Sequence, residues 1–203
     1  GYSFKGNSDT EVLLNLYLAE GDRMLEKLNG IFSFAIWDSR SKEIFLARDH
    51  FGIKPMYYSS ENGNFLFSSE IKALRPMLDR PFEIDQHAVN RHLSFIWSPG
   101  ERTILKSVKK LLPGHALKVV DGKVVKKWNW YQLPITKKSR SNLSLNESII
   151  GTENYLRQAV HRQMISDAPL GAFLSGGLDS SSIAVFAREI NPDIRCFTMK
   201  ADF

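Results

Sequence analysis

The spacing of apolar residues predicts helices at the start of the chain and hairpins in its middle. After Ser8-Asp9-Thr10-Glu11, a typical helix start, apolar positions recur at helical spacing as far as Asn29-Gly30, the expected C-cap. A break into two helices is predicted at Gly21-Asp22. From Ile31 onwards we predict three hairpins, with paired strands at 31–37 and 43–47, 55–59 and 65–68, and 115–120 and 124–130.

The later part of the chain has a different pattern. Short helices are predicted at 70–78 and 85–95, the second capped by Asp85, and residues 132–146 are polar, basic and aperiodic, as linkers are. Beyond the linker the pattern predicts, in order, a helix at 147–164, a strand at 169–174, a helix at 178–190 and a strand at 194–199. Strand, helix and strand in this order form a βαβ unit, which predicts a parallel sheet. Because the chain opens on a capped helix and closes after two such strands, we expect further sequence at both ends.

The amino-acid composition is that of a globular protein and argues against membrane-spanning and disulfide-rich classes. The 203 residues are 43% hydrophobic and 24% charged, which is ordinary for a globular protein. No apolar run approaches the roughly 18 residues that span a bilayer, and no signal peptide is visible, so no membrane association is expected. A single cysteine, Cys196, excludes a disulfide framework within these residues and points to a cytoplasmic location. We expect this thiol to be buried and structural.

The formal net charge of +5 comes from the second half of the chain. Nucleic-acid binding is one interpretation, but no recognition helix or RNA-binding motif accompanies the charge. A solvated strand edge and linker are therefore favoured, and no nucleic acid is expected as a partner. Much of the excess lies in Lys123, Lys126, Lys127, Lys137, Lys138 and Arg140.

The stretch 174–181, Leu-Ser-Gly-Gly-Leu-Asp-Ser-Ser, carries the most informative chemistry. It lies between a predicted strand and a predicted helix, where backbone N–H groups and the helix dipole hold anions. Gly176 and Gly177 allow the backbone to curl around a phosphate, and Asp179 is a candidate ligand for Mg²⁺. The stretch lacks the lysine of a Walker A motif and the glycine spacing of a dinucleotide fingerprint. A pyrophosphate-binding loop is favoured over a plain glycine turn with a helix cap.

This stretch resembles the pyrophosphate loop of the PP-loop ATP pyrophosphatases, in the form found in glutamine-dependent asparagine synthetases. Four earlier segments resemble successive parts of the glutaminase domain of that family, in the same order. They are 8–12 (SDTEV), 28–35 (LNGIFSFA), 48–58 (RDHFGIKPMYY) and 68–74 (SSEIKAL).

The resemblance implies an α+β domain followed by the start of an α/β domain. The first, at 1–131, would be a partial αββα Ntn-hydrolase sandwich that hydrolyses glutamine. After a linker at 132–146, residues 147–203 would begin a parallel-sheet PP-loop domain that forms β-aspartyl-AMP from aspartate and ATP. Glutamine, aspartate and ATP are then the expected small-molecule partners, with Mg²⁺ accompanying ATP. A homodimer is left open.

The resemblance also implies roles for particular residues. Asp9 matches the carboxylate that pairs with the α-amino group of glutamine, a charge-assisted contact. Arg48, Asp49 and Lys54 stay open between a functional role and an internal ion pair that shapes a turn. For ATP, Leu174 and Met199 match positions whose backbone contacts the adenosine, and the pyrophosphate loop comprises Ser175, Gly176, Gly177, Asp179 and Ser180.

Some features depart from the family pattern. Its nucleophile is a cysteine at the mature N-terminus, where this chain has Gly1, so no catalytic residue is assigned and this chain alone is expected to be inactive. The family's glutamine-binding arginine is expected upstream of residue 1. Lys200 stands where these proteins usually have glycine. Because the acceptor pocket is expected beyond Phe203, a related amidotransferase or cyclase (β-lactam synthetase-like or polysaccharide-amidating) and a non-catalytic scaffold remain alternatives.

Overall fold

The computed structural model describes residues 3–78, 81, 83–135 and 142–199. The chain folds as two compact units, Gly1–Pro134 and Ile135–Phe203. The predictions made for Lys137, Lys138, Arg140, Lys200 and Phe203, and for the middle of the linker, lie outside the described residues. The boundaries proposed for the domains stay a prediction.

The first unit begins with helix α1 (Asp9–Glu20). Ser8 is its N-cap, because the Ser8 hydroxyl accepts a hydrogen bond from the Thr10 amide at 3.2 Å. The predicted break is confirmed at Gly21, which has a φ of +60° and starts a 3₁₀ helix, Gly21–Lys27. The C-cap predicted at Asn29-Gly30 is wrong: the 3₁₀ helix ends at Lys27, and its C-cap is Leu28, whose backbone is already extended.

The three predicted hairpins are confirmed. The strands of the first unit are β1 (Ser33–Asp38), β2 (Glu43–Arg48), β3 (Tyr57–Glu61), β4 (Asn64–Ser68), β5 (Lys109–Lys110), β6 (His115–Val120) and β7 (Lys123–Asn129). Together with the short strand β5, the hairpin strands form two antiparallel sheets, in the order β1-β2-β6-β7 and β4-β3-β5.

The four-stranded sheet has a core on each of its faces. Alternate residues of a strand point to opposite faces, so Phe45 and Ala47 of β2 pack with Met24 and Leu25 of the 3₁₀ helix. Leu46, between them, faces the other sheet. That second core contains Leu46, Met56, Tyr58, Leu111, Leu117 and Val119. The result is a helix–sheet–sheet arrangement, a mixed fold with antiparallel sheets.

Short helices lie beside the second sheet. The predicted helix at 70–78 is divided into α2 (Ile71–Leu74), which packs on β4, and a 3₁₀ turn, Arg75–Met77. Pro76 explains the division, since a proline ring clashes with the carbonyl four residues earlier. Helix α3 (Gln86–Phe95) is capped by Asp85 as predicted, its Oδ1 accepting from the Ala88 amide at 3.1 Å.

The two outer strands of the four-stranded sheet differ in charge. Strand β7 carries Lys123, Lys126 and Lys127, a common way to protect a sheet edge from pairing. These lysines therefore lie on a strand edge, as predicted. Strand β1 has no lysine and leaves Trp37 60% exposed.

Two hairpin tips of the first unit touch. Gly63 in the β3–β4 turn and Gly122 in the β6–β7 turn both have positive φ, +76° and +72°. The carbonyl oxygen of Gly63 occupies the space that a Cβ on Gly122 would need. Glycine is thus required at 122 by close approach as well as by its backbone angle.

The second unit contains α4 (Leu145–Arg162), β8 (Gly171–Phe173), α5 (Leu178–Ile190) and β9 (Arg195–Phe197). The predicted parallel pairing is confirmed for β8 and β9. Its described core is small: Val160, Phe186, Ala187 and Ile194. Cys196 is exposed, so the prediction of a buried thiol is wrong. One face of the two-stranded sheet is covered, since Ala172 packs against this core, while the 87% exposure of Phe173 shows that the other face is open.

Among the helices that the structure describes, none is long and apolar enough to cross a membrane.

Candidate functional site

The glycine-serine loop lies between β8 and α5, as the sequence predicts. The Leu174 amide donates to the carbonyl of Phe197 at 2.8 Å, which ties the start of the loop to β9. Gly176 has a φ of +80°, which favours glycine, and nothing lies within 4 Å of the position of an added Cβ. The loop therefore needs glycine there for its backbone angle, and the space beside it is open.

Hydroxyl groups hold the loop together. The Ser180 hydroxyl accepts from the Ser175 amide at 3.2 Å, donates to the Gly177 carbonyl at 3.2 Å and contacts the Ser175 hydroxyl at 2.9 Å. The Ser175 hydroxyl also accepts a long bond of 3.5 Å from the Gly177 amide. Ser175 and Ser180 thus stabilise the curl of the loop from within.

The first turn of α5 is open to an anion. Gly177 is the N-cap, and no described side chain caps the helix there. The N–H groups of a first turn carry the positive end of the helix dipole, and they need an acceptor from outside the helix. An exposed helix N-terminus beside a glycine loop is the usual geometry for a phosphate.

Two further residues of the proposed nucleotide site, Asp179 and Met199, are both exposed. Asp179 lies in the first turn of α5, and Met199 follows β9 with 97% of its surface exposed. In the part of the chain that the structure describes, no three His, Cys, Asp or Glu residues cluster as metal ligands. A single carboxylate still suits Mg²⁺, which usually keeps waters and takes most other ligands from a nucleotide's phosphates.

Asp9 lies in the first unit, at the mouth of a groove between α1 and β1. With Ser8 as the cap, the Asp9 carboxylate is exposed, and it accepts a hydrogen bond from the neighbouring Thr10 hydroxyl at 3.5 Å. The groove has a volume of about 510 Å³. Its described lining is Asp9, Thr10, Leu13, Leu14, the segment 31–37 and Lys54.

The turn 49–54 resolves the open roles of Arg48 and Asp49. The Asp49 carboxylate, only 1% exposed, accepts from the amides of Phe51, Ile53 and Lys54 at 3.0–3.1 Å. Arg48 donates instead to three carbonyls, those of Gly52, Lys54 and Leu111, at 2.5–2.7 Å. Burial lowers the pKa of Arg48, while the charge of Asp49 opposes that shift. Both residues shape the turn through backbone bonds.

The segment 31–37 and Lys54 are site features that the sequence reasoning did not bring together. The sequence predicts 31–37 only as a strand of the first hairpin. The strand period offers a signal, since Phe34 and Ile36 pack inward while the alternate residues Ala35 and Trp37 are exposed. No sequence signal links Lys54 to Asp9, because their proximity to one groove depends on the tertiary fold.

Two protein-family comparisons match the chain, one for each unit. The family described as "Glutamine amidotransferase domain" matches residues 1–131. The chain belongs to this glutamine amidotransferase family. A second family, described as "Asparagine synthase", matches residues 151–202, a range that includes the glycine-serine loop beyond the amidotransferase segment.

Curated relatives match nearly the whole length of this amidotransferase chain. It is 37% identical over 92% of its residues to asparagine synthetase [glutamine-hydrolyzing] 3 of Bacillus subtilis, covering 30% of that protein. It is 36% identical over 98% of its residues to asparagine synthetase [glutamine-hydrolyzing] 1 of the same organism, covering 31%. Amidase chyE of Penicillium rubens is 29% identical over 99% of the chain, with 32% of that protein covered. The chain thus spans about a third of the length of these relatives.

Among solved structures, a glutamine phosphoribosylpyrophosphate amidotransferase from B. subtilis matches with a TM-score of 0.44 and 18% sequence identity. The match covers 98% of this amidotransferase chain and 40% of that one. A similarity of this size supports no conclusion about the site.

Proposed function

We propose that this chain is part of a glutamine-hydrolysing asparagine synthetase. The observation that carries the proposal is the order of two family segments in one chain, a glutamine amidotransferase at 1–131 and an asparagine synthase at 151–202. The first segment releases ammonia from glutamine, and the second belongs to the part that activates aspartate with ATP. The proposed domains are those expected from the sequence: 1–131, a linker at 132–146, and 147–203.

The glycine-serine loop holds the pyrophosphate of ATP in this proposal. An oxygen of the aspartate side chain attacks the α-phosphorus, a new P–O bond forms, and pyrophosphate leaves with the electron pair of the broken P–O bond. The exposed first-turn amides of α5 and the open space at Gly176 support this role, since they meet the leaving phosphates with N–H donors. Leu174 and Met199 are proposed to contact the adenosine through their backbones.

Asp179 is the proposed residue for Mg²⁺. When bound, the ion neutralises part of the charge on the phosphates. Asp179 contributes an exposed carboxylate in the first turn of α5, close in sequence to the amides that face the anion. A homodimer and a cytoplasmic location, the latter expected from the single cysteine, stay predictions.

Asp9 is the proposed ligand for the α-ammonium group of glutamine. Its carboxylate is exposed in a groove and is not needed as the helix cap, because Ser8 has that role. A charge-assisted hydrogen bond to an ammonium group is among the stronger polar contacts. This arrangement favours an amino acid with a free α-amino group as the substrate of the first unit.

The test uses the product of the complete gene, supplied with glutamine, aspartate and Mg-ATP. We expect asparagine, AMP and pyrophosphate in equal amounts, and formation of ADP would overturn the mechanism. Asp9→Asn should reduce glutamine-dependent synthesis by about tenfold or more, since it removes one charge-assisted contact. Synthesis from ammonium chloride should be unchanged. Glu26→Gln, at an exposed carboxylate outside the groove, is the matched control.

A related ATP-dependent amidotransferase with another acceptor is the second candidate. The similarity to amidase chyE, at 29% identity over 99% of the chain, favours keeping it. The same assay distinguishes the two candidates: AMP and pyrophosphate formed with a carboxylic acid other than aspartate, and not with aspartate, would select the second.

A further inference from the structure

We propose that a small cavity on the β3–β4 hairpin, on the face that points away from the second core, binds a small organic ammonium compound through Ser59 and Glu61. The cavity has a volume of about 130 Å³. It has room for about four water molecules or one short amine. The inference concerns a different part of the first unit from the groove of Asp9, and it does not rest on the proposed function.

The register of the hairpin places Ser59 and Glu61 on one face of the sheet. Alternate residues of a strand point to opposite faces, and Tyr58, next to Ser59, packs in the second core. Ser59 and Glu61 therefore point away from that core, with their Cα atoms about 6.6 Å apart along the strand. Their register partners across the hairpin, Leu66 and Asn64, lie on the same face. These four residues line the cavity.

Two further segments of the first unit form the walls. Met77 and Leu78, at the end of the 3₁₀ turn that follows α2, supply apolar surface. On another wall, the Lys106 ammonium group pairs with the Glu83 carboxylate at 2.9 Å, and the Lys106 amide donates to the Glu83 carbonyl at 2.9 Å. Because this ion pair has no net charge, the charge of the described lining depends on Glu61.

Ser59 and Glu61 both lack a partner in the protein. Ser59 is only 3% exposed, yet its hydroxyl forms no hydrogen bond with the residues that the structure describes. A buried hydroxyl without a partner is costly, which favours a partner that enters the cavity. The Glu61 carboxylate forms no ion pair within residues 3–78, 81, 83–135 and 142–199. The cavity therefore offers one uncompensated negative charge and one free hydroxyl on the same face.

An ammonium group suits both residues, because it carries a positive charge and three N–H donors. One N–H can donate to the Glu61 carboxylate and another to the Ser59 oxygen, and a charge-assisted bond is among the stronger polar contacts. The apolar surface of Leu66, Met77 and Leu78 fits a short alkyl chain. A carboxylate would be repelled by Glu61, and a neutral alcohol would leave that charge without a counter-ion.

The experiment titrates the product of the complete gene with n-butylammonium chloride by isothermal calorimetry. We expect n-butanol to bind at least tenfold more weakly and sodium butyrate not to bind at this cavity. Glu61→Gln should weaken binding of butylammonium about tenfold, the loss typical of one charge-assisted contact, and Ser59→Ala should weaken it severalfold. The matched controls should bind as wild type does: Glu26→Gln, at an exposed carboxylate outside the cavity, and Ser60→Ala, on the opposite face of β3.

A stability measurement separates a ligand site from a structural role. Because the Ser59 hydroxyl has no partner in the protein, Ser59→Ala should leave the midpoint of urea denaturation unchanged or raise it. A lower midpoint would show that the hydroxyl bonds within the fold, which would overturn the inference. If wild type does not bind butylammonium, or Glu61→Gln binds it equally well, the inference is also wrong. Binding is measured without glutamine or ATP, so these outcomes are independent of the proposed function.

Discussion

Two loops of this chain gather backbone N–H groups, and they differ in the source of the negative charge. In the turn 49–54, three amides donate to the buried carboxylate of Asp49. In the loop before α5, Ser175 and Ser180 bond to each other and to the backbone, and no described side chain caps the first turn of the helix. The first loop has a protein anion, while the second is suited to an anion from a ligand.

The surroundings of the two loops explain the difference. Asp49 follows β2, whose residues Phe45, Leu46 and Ala47 are fully buried, so an amide there without an acceptor would be costly. The loop before α5 follows β8, where Phe173 is largely exposed, and water can solvate its amides when no ligand is bound. In the structural turn, a side chain of the protein accepts hydrogen bonds from the backbone amides. In the binding loop, the amides are left to donate to water or to a ligand.

The largest effect is expected from Asp49→Ala. Removing the carboxylate leaves three amides without their acceptor beside the core, and we expect the free energy of unfolding of the first unit to fall by about 3–5 kcal/mol. Urea denaturation measures this loss. The free energy of unfolding of Asp49→Asn, which keeps one acceptor oxygen, should lie between those of wild type and Asp49→Ala. The control Glu26→Ala should stay within about 0.5 kcal/mol of wild type. An Asp49→Ala protein as stable as wild type would remove the distinction between the loops.

The next largest effect is expected from alanine substitutions at two glycines that have equally open surroundings but different backbone angles. At Gly176, with φ of +80°, alanine should cost about 1–2 kcal/mol and weaken binding of Mg-ATP. At Gly151, inside α4, alanine should instead stabilise by about 0.5–1 kcal/mol. Neither added Cβ meets an atom within 4 Å, so the backbone angle alone differs. Thermal unfolding and calorimetric titration measure the two effects, and an equal change at both sites would contradict the argument.

Glu101 is a second carboxylate that accepts hydrogen bonds within the protein, and it should make the stability of the first unit depend on pH. Burial raises its pKa, but hydrogen bonds from Lys127 and Tyr58 outweigh this and hold the pKa below its usual range. A lowered carboxyl pKa adds stability above the unfolded value of about 4.3, and this stability is lost as pH falls through the folded value. Glu101→Gln should flatten the stability profile between about pH 5 and 3. An unchanged slope would show that Glu101 adds nothing there.

The smallest effect is expected from Ser180→Ala. The substitution removes the hydroxyl that accepts from the Ser175 amide, and at this partly exposed position we expect a loss of about 0.5–1 kcal/mol. Affinity for Mg-ATP should fall severalfold because the loop loses its internal brace. Ser182→Ala is the matched control, since that hydroxyl donates to the Leu178 carbonyl of its own helix at 2.8 Å and not to the loop backbone. If both variants bind nucleotide as tightly as wild type, the brace is not needed.

Local signals allowed much of the fold to be predicted from the sequence. The turns that end the hairpins and the Asp85 cap depend on residues a few positions apart, and α5 has the predicted bounds of 178–190. Contacts between distant residues could not be predicted in this way. The exposure of Cys196 depends on how little covers β8 and β9, and Gly30 lost its expected role because a 3₁₀ helix ended first.

The same contrast between local and distant contacts holds for the candidate site. The stretch 174–181 could be placed between a strand and a helix from its sequence, since its residues are contiguous. The roles of Arg48 and Asp49 could not be separated, because both are charged and only the structure shows that one donates to carbonyls and the other accepts from amides. The shared groove of Asp9 and Lys54 joins residues 45 positions apart in the chain.

The contact between the tips at Gly63 and Gly122 limits how this protein can be engineered. An epitope tag, a fluorescent label or a longer connector placed in either turn would push against the other, so hairpin tips that look permissive in the sequence are poor insertion sites. The β1–β2 turn at 39–42, which is exposed throughout, is the better choice.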